Sequence, residues 1–226
     1  MNEQLRRSAA HVFVADLGSP LLADDDAHHL SRVLRLRDGQ SVSASDGLGA
    51  WRMCEWRDGS LVSTGEIATE KPPRVTLTVA LAPVKGDRTE DAVEKLVEIG
   101  IDRIVVLAAV EHSVVRWDVD RANAAVARYR RVARAASAQS RRVFLPVVDG
   151  PIPLAEVLTG DSVALAEPGG TADLSAITTI VVGPEGGFSA AEVELAQRRV
   201  SLGQGILRAD TAAVVAGALM VAHQRR

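Results

Sequence analysis

The 226-residue chain has a single cysteine, Cys54, one tyrosine, three phenylalanines and three tryptophans. One thiol excludes an internal disulfide framework and an all-cysteine zinc site, and it suits a reducing cytoplasm. No apolar run approaches the ~20 residues that span a bilayer. The opening MNEQLRRSAA also lacks the apolar stretch of a signal peptide. An excess of positive charge is missing too. Lys+Arg at 26 against Asp+Glu at 29 gives −3, which argues against histone-like binding through bulk charge. Any nucleic-acid surface must therefore be a local patch. There is no GxSxG, no Gly-Lys-Ser/Thr phosphate loop and no GxGxxG, so neither a hydrolase elbow nor an ordinary dinucleotide site is expected. What the chain has in quantity is apolar side chains, 47% of it. That supplies the core of one domain, or of two small ones at ~150 residues per domain. A soluble cytoplasmic globular protein is expected.

The clearest seam is Thr69-Glu70-Lys71-Pro72-Pro73-Arg74, where consecutive prolines bar helix and central strand. It predicts a linker over 69–74, dividing a domain of residues 1–70 from one of 75–226. Before it, short strand-like runs at 11–15, 40–45, 50–56 and 61–67 are separated by Asp38-Gly39, Asp46-Gly47 and Asp58-Gly59. One helix from about Asp26 to Leu36, with Leu30, Val33, Leu34 and Leu36 near helical spacing, interrupts them. A small β-barrel carrying one helix fits this half. After the seam, strands are predicted at 75–82, 103–109, 143–148, 163–167 and 179–183. Helices are predicted at 89–100, stopped by Gly100, at 121–139, from Ser189 to about Val200, and over Thr211–His223. Strands apolar on both faces with helices between them predict an α/β domain with a parallel sheet covered on both sides.

Two glycine-rich loops stand out. Gly183-Pro184-Glu185-Gly186-Gly187-Phe188-Ser189 directly follows the strand TIVV, and Ser201-Leu202-Gly203-Gln204-Gly205-Ile206-Leu207-Arg208-Ala209-Asp210-Thr211 leads into an apolar helix. Parallel sheets bind ligands beyond the carboxyl ends of their strands, and glycine lets backbone N–H groups approach a ligand. The plainer alternative for the first loop is a structural strand-to-helix turn, with Ser189 and Glu192 forming a capping box. Asp210 equally suits a helix start. Lys85-Gly86-Asp87-Arg88 lies on the same side of the sheet but is a weak motif alone. Residues 121–148 hold seven arginines (121, 128, 130, 131, 134, 141 and 142) and no acidic residue before Asp149. Arg130, Arg134 and Arg141 could share a face suited to RNA phosphates, or the segment is a solvated helix face. In His28-His29-Leu30-Ser31-Arg32-Val33-Leu34-Arg35, adjacent histidines point ~100° apart on a helix, so they do not make a metal site. Arg32 and Arg35 would form a basic strip opposite the apolar stripe, the alternative being an ordinary amphipathic helix.

In this order and spacing, HHLSRVLRLRDG, KGDR with VEKLVEIG, ARAASAQSRR, VVGPEGGFSAAE and LGQGILRADTA resemble the bacterial 16S rRNA (uracil-N3)-methyltransferases of the SPOUT superfamily. The resemblance runs from about His11 to the C-terminus. It implies a PUA-like N-terminal β-barrel followed by a SPOUT α/β domain with a parallel sheet and a trefoil knot. S-adenosylmethionine is then held by Leu165, Ala166 and Glu167, by Gly183, Pro184, Glu185 and Gly187, and by Leu202, Gly203, Ile206, Leu207 and Arg208. It implies a homodimer acting on 16S rRNA of the small ribosomal subunit, with no metal and no membrane. The RNA-contacting residues would be Arg32, Arg35, Lys85, Arg88, Arg134, Arg141 and Arg142. Uracil N3 carries a proton, so chemistry would need in-line positioning, a group to stabilise the developing anion and a proton acceptor. Arg208 is expected in the first role, with Glu185 or Asp210 accepting the proton or holding Arg208. The family commonly has Arg-Thr-Glu-Thr-Ala where this chain has Arg208-Ala209-Asp210-Thr211-Ala212, a shorter carboxylate. A SPOUT enzyme methylating ribose 2′-oxygens and a non-catalytic RNA-binding module are the competing readings.

Overall fold

The computed structural model describes residues 2–108 and 110–225, which fall into two units. The first takes in the chain through Pro73 together with Ser137–Leu145, and the second takes in Arg74–Ala136 and everything from Pro146. The stretch Ser137–Leu145 is therefore added to the first unit, although in sequence it lies deep within the second half.

The first unit contains α1 (Glu3–Arg7), β1 (Ala10–Phe13), α2 (Asp24–His28), a π-helical turn (His29–Val33), β2 (Ser41–Ser45), β3 (Ala50–Arg57), β4 (Ser60–Ser63) and β5 (Ala68–Thr69). They build a five-stranded sheet in the order β1-β2-β3-β4, with β5 also on β3. Only β1 and β2 run parallel. The β3–β4 hairpin turns on Asp58 and Gly59, both at positive φ, the two-residue turn whose twist matches that of the strands. Val12, Val42, Ala44, Cys54 and Trp56 form the core with Leu30.

The segment Ser137–Leu145 is bonded into this sheet. The Val143 carbonyl accepts from the Ser45 hydroxyl at 3.1 Å and from the Gly49 N–H at 3.0 Å, and Leu145 N–H reaches Gly47 O at 2.9 Å. Val143 packs with Leu5 and Trp51. His11 is buried beneath it. Its Nε2 pairs with the Arg142 carbonyl at 3.0 Å, so that nitrogen carries the proton and Nδ1 accepts from Ser43 Oγ at 2.8 Å. Burial lowers the imidazole pKa to about 4, against the upward pull of the Arg142 carbonyl and with a smaller downward push from the Arg141 cation.

Two expectations are corrected here. The predicted strand 143–148 forms instead at Val147–Ile152, because residues 143–145 bond to the first unit. The predicted helix from Asp26 to Leu36 breaks into α2 and a wider turn. Leu34 N–H bonds five residues back to His29 O, and Leu36 N–H six back to Leu30 O. Arg35 then sits at φ +52°, outside any helix, so Arg32 and Arg35 do not share a helical face. Of the supposed apolar stripe only Leu30 is buried, while Val33 and Leu34 are exposed.

The second unit contains β6 (Thr78–Leu81), α3 (Arg88–Ile99), β7 (Arg103–Leu107), α4 (Val119–Gln139, its last turn in the first unit), β8 (Val147–Ile152), α5 (Leu154–Val157), β9 (Val163–Thr171), β10 (Thr179–Val182), α6 (Ala190–Glu194), β11 (Arg199–Val200) and α7 (Ala209–Gln224). The six strands are all parallel, in the order β11-β9-β10-β6-β7-β8. Alternation sorts their side chains onto two faces. Val79, Leu81, Ile104, Val106, Ile180 and Val182 join the cluster formed with α3, α4 and α7. Their sequence neighbours Ala80, Val105, Leu107 and Val181 join the cluster with Leu154, Leu158 and Leu165 on the other face. Strands covered on both sides read as continuous apolar runs for this reason.

The helix predicted from Ser189 to Val200 is only Ala190–Glu194. The chain leaves it so that Arg199 pairs with Leu165 and Val200 with Thr171, adding β11 at the sheet edge. Gly170 permits this, because a Cβ there would lie 2.6 Å from the Val200 carbonyl carbon. After β11 the chain returns to the middle of the sheet, where α7 packs on α3, β6 and β10. Among the described residues, no helix is long and apolar enough to cross a membrane.

Candidate active site

The carboxyl ends of β9, β10, β6 and β7 lie side by side; the loop with Gly183, Pro184, Glu185 and Gly187 leaves β10, that with Lys85 leaves β6, and the segment Leu202–Arg208 follows β11. After β10, Gly187 N–H closes a turn onto Pro184 O at 2.9 Å, and Gly187 sits at φ +71°. Phe188 packs back into the core beside Val193. Three contacts fasten this loop from other elements. Arg88, the first residue of α3, donates to Glu185 at 2.6 Å, each side chain about a third exposed (35% and 32%). His112, in the segment after β7, meets the Gly186 carbonyl through Nδ1 at 3.1 Å. Glu192 accepts the Ser189 N–H at 2.9 Å and the Glu111 N–H at 2.9 Å.

The second loop is open. Leu202 packs on the core, and Ser201 Oγ donates to Gly203 O at 2.9 Å. Ile206 is 96% exposed, Leu207 half-buried, and no atom lies within 4 Å of where a Cβ would stand on Gly203 or Gly205. Arg208 occupies the position before α7, exposed and without a side-chain partner among the described residues. Asp210, in the first turn of α7, has one carboxylate oxygen, Oδ1, buried with no hydrogen-bond partner. An orphaned buried carboxylate oxygen is costly unless something absent from the free chain meets it.

Leu165, Ala166 and Glu167, expected to help hold the cofactor, lie in the strand predicted at 163–167, which runs on as β9 to Thr171, and the Leu165 side chain is wholly buried in the core. Ala166 and Glu167 are half-buried, with Ala166 against the opposite cluster.

The arginine-rich segment also differs from expectation. Arg128 pairs with Glu90 at 2.5 Å, Arg130 Nε donates to Val148 O at 2.9 Å, and Arg121 lies 3.5 Å from Asp118. Arg141 is at φ +59°, and its two terminal nitrogens hold the carbonyls of Ala138, Gln139, Ser8 and Ala9. It acts as a structural clasp within the first unit. Arg134 and Arg142 are half-buried and also engaged. Arg32, Arg35 and Lys85 are exposed, with no side-chain partner among the described residues. No group of three or more His, Cys, Asp or Glu among the described residues is placed to hold a metal.

Residues 70–221 match a family model described as an RNA methyltransferase domain, and residues 22–55 match one described as an RNA methyltransferase PUA domain. The chain belongs to this RNA methyltransferase family. It is 33% identical over 93% of its length, and 89% of the relative's, to a protein of Mycobacterium tuberculosis named ribosomal RNA small subunit methyltransferase E. A probable rRNA-methyltransferase from Porphyromonas gingivalis is similar in structure, with TM-score 0.77 and 31% identity, over 96% of this chain and 98% of that one. A ribosomal RNA small subunit methyltransferase E from Neisseria gonorrhoeae, solved with bound S-adenosyl methionine, shares the fold at TM-score 0.77 and 24% identity, over 94% of this chain and 97% of that one.

Within this family member, Glu111, His112 and the second hydrogen bond of Glu192 escape a reading by motif. The available signal was positional. Glu-His-Ser stands at the carboxyl end of the apolar strand RIVVLAA, on the ligand-binding side of a parallel sheet.

Proposed function

We propose that the protein transfers a methyl group from S-adenosylmethionine to N3 of a uridine in 16S rRNA of the small ribosomal subunit. The observation that carries this reading is the pair of glycine-rich loops at the carboxyl end of the sheet, in a chain of the RNA methyltransferase family. Support for the target comes from the name of the M. tuberculosis relative, and for the cofactor from the N. gonorrhoeae structure. The residues present fit such a group. Gly187, Gly203 and Gly205 leave open space where side chains would stand, and the free oxygen of Asp210 awaits a donor. Gly183–Gly187 and Leu202–Arg208 would hold the cofactor, which supplies a methyl already activated on a sulfonium. The return of α7 to the middle of the sheet after β11 is the path that a trefoil knot requires.

The remaining work belongs to the chain's own residues. Arg208, exposed and unpaired at the start of α7, stabilises the negative charge that develops on the uracil as its N3 proton leaves. Of the two candidate proton acceptors, Glu185 is engaged by Arg88, so Asp210 takes the proton. N3 lies on the pairing edge, and the target base must be unpaired or flipped out to reach it. Arg32, Arg35 and Lys85 contact RNA phosphates. A homodimer would cover Ile206 together with Leu195 and Leu219, which are also exposed. The protein would act in the cytoplasm, with its substrate.

The test is methyl transfer to small subunits lacking their base methylations, followed by mass-spectrometric nucleoside analysis. Formation of 3-methyluridine is the expected result, and a 2′-O-methylated product or none would overturn the reading. Arg208→Ala should lower turnover by about 10²- to 10³-fold with the cofactor still bound, the scale of losing one preorganised donor.

A further inference from the structure

We propose that Glu192 is a positioning residue that locks two loops of the active site into one wall, an inference that rests on the methyl-transfer reading above. The two loops leave β10 and β7, which are not neighbours, since β6 stands between them. Glu192 bridges the gap with a single carboxylate. One oxygen accepts the N–H of Ser189, completing the capping box of α6, and the other accepts the N–H of Glu111 beyond β7. An ionised carboxylate only accepts, so both of its oxygens can serve backbone donors at once. Glutamine would turn an NH₂ toward one of the two N–H groups. Bonds from N–H groups to a charged carboxylate are also the stronger kind.

The neighbouring contacts lie along the same seam. His112 meets the Gly186 carbonyl, which can only accept, so Nδ1 carries the proton. A Cβ on Gly186 would come within 2.9 Å of the His112 Cβ, so glycine is what allows the two segments to close. Arg116 donates to the Glu111 carbonyl at 2.7 Å and holds the far side of the bridged residue. The loop Gly183–Ser189 is thus shaped from outside before any ligand arrives. Preordering of that kind lowers the conformational cost of binding and appears as cofactor affinity.

A purely local role is the alternative, because a capping box by itself steadies a short helix. Ser189→Ala and Glu192→Ala separate the two. Both break the cap, but only the second releases Glu111. Isothermal titration of S-adenosylmethionine and amide hydrogen exchange at Glu111 are measured on the full-length chain. Glu192→Ala should weaken cofactor binding about tenfold and speed exchange at Glu111, whereas Ser189→Ala changes the affinity by at most about twofold. Glu192→Gln should fall between them, and it stands in if the alanine variant does not fold. Equal losses in Ser189→Ala and Glu192→Ala, or an unchanged affinity in Glu192→Ala, would overturn the positioning role. Failure of the unmodified protein to bind S-adenosylmethionine would instead remove the methyl-transfer reading, and this inference with it.

Discussion

Two arginine-rich stretches of the first unit carry similar sequences to opposite ends. His28–Arg37 and Ser137–Leu145 each place one arginine in the left-handed region, Arg35 at φ +52° and Arg141 at φ +59°. For an L-residue that conformation costs roughly 1–2 kcal/mol. Arg141 offsets the cost inside the fold, where its guanidinium holds four backbone carbonyls. Arg35 makes no such bonds. Its side chain is exposed and unpartnered among the described residues, as are those of Arg32 and Arg37. Strain that the fold does not offset is characteristic of segments kept for a ligand. A count of positive charges cannot tell a clasp from a binding surface; the partners of each guanidinium can.

This contrast can be broken in order of expected effect. Replacing Arg32, Arg35 and Arg37 together by alanine should weaken binding to small-subunit RNA by roughly a hundredfold or more at low salt. The slope of log affinity against log salt should flatten by about 0.7–0.9 for each phosphate that the variant no longer neutralises. A filter-binding salt series would show this, and an unchanged slope would mean that the exposed arginines are idle.

The clasp should respond to acid. The folded pKa of His11, about 4, lies below its ordinary 6.5, so the fold favours the neutral ring. Its contribution is complete above pH 6.5 and is lost as pH falls toward 4, amounting to about 3 kcal/mol. Melting temperature measured from pH 7 to 4 should fall accordingly, and His11→Gln should remove that part of the slope.

Arg141→Ala should cost roughly 2–3 kcal/mol in chemical denaturation, because it removes four hydrogen bonds to backbone carbonyls, two of them part-buried. The salt slope of RNA binding should not change. Arg35→Gly is the smallest and the most diagnostic. Relief of the positive φ should stabilise the protein by about 1 kcal/mol while RNA binding weakens, a split that a purely structural residue would not produce.

Local chemistry was legible wherever the cause lay within a few residues. The Asp58-Gly59 hairpin, the stop at Gly100 and the Ser189–Glu192 capping box all follow from neighbours in sequence. The parallel sheet was legible from TIVV and VTLTVALA, because burial on both faces leaves no alternation. Features that depend on distant partners were not. The end of α6 is set by β9, the wide turn after His28 by the burial of Leu30, and the place of residues 143–145 by Ser45, Gly47 and Gly49. In the active site the glycine loops announced themselves, but their fastening did not. Glu111 and His112 acquire meaning only when β7 is laid two strands from β10.

Because Ser137–Leu145 completes the first unit, no single break in the chain separates the two halves into whole pieces. A fragment ending in the proline linker would lack Val143 over Trp51 and the carbonyl that holds His11, leaving raw apolar surface where the clasp belongs. Exchanging the N-terminal part between relatives would require three crossover points, one at the linker and a pair bracketing nine residues far downstream. The linker alone is therefore not a boundary at which whole units can be exchanged.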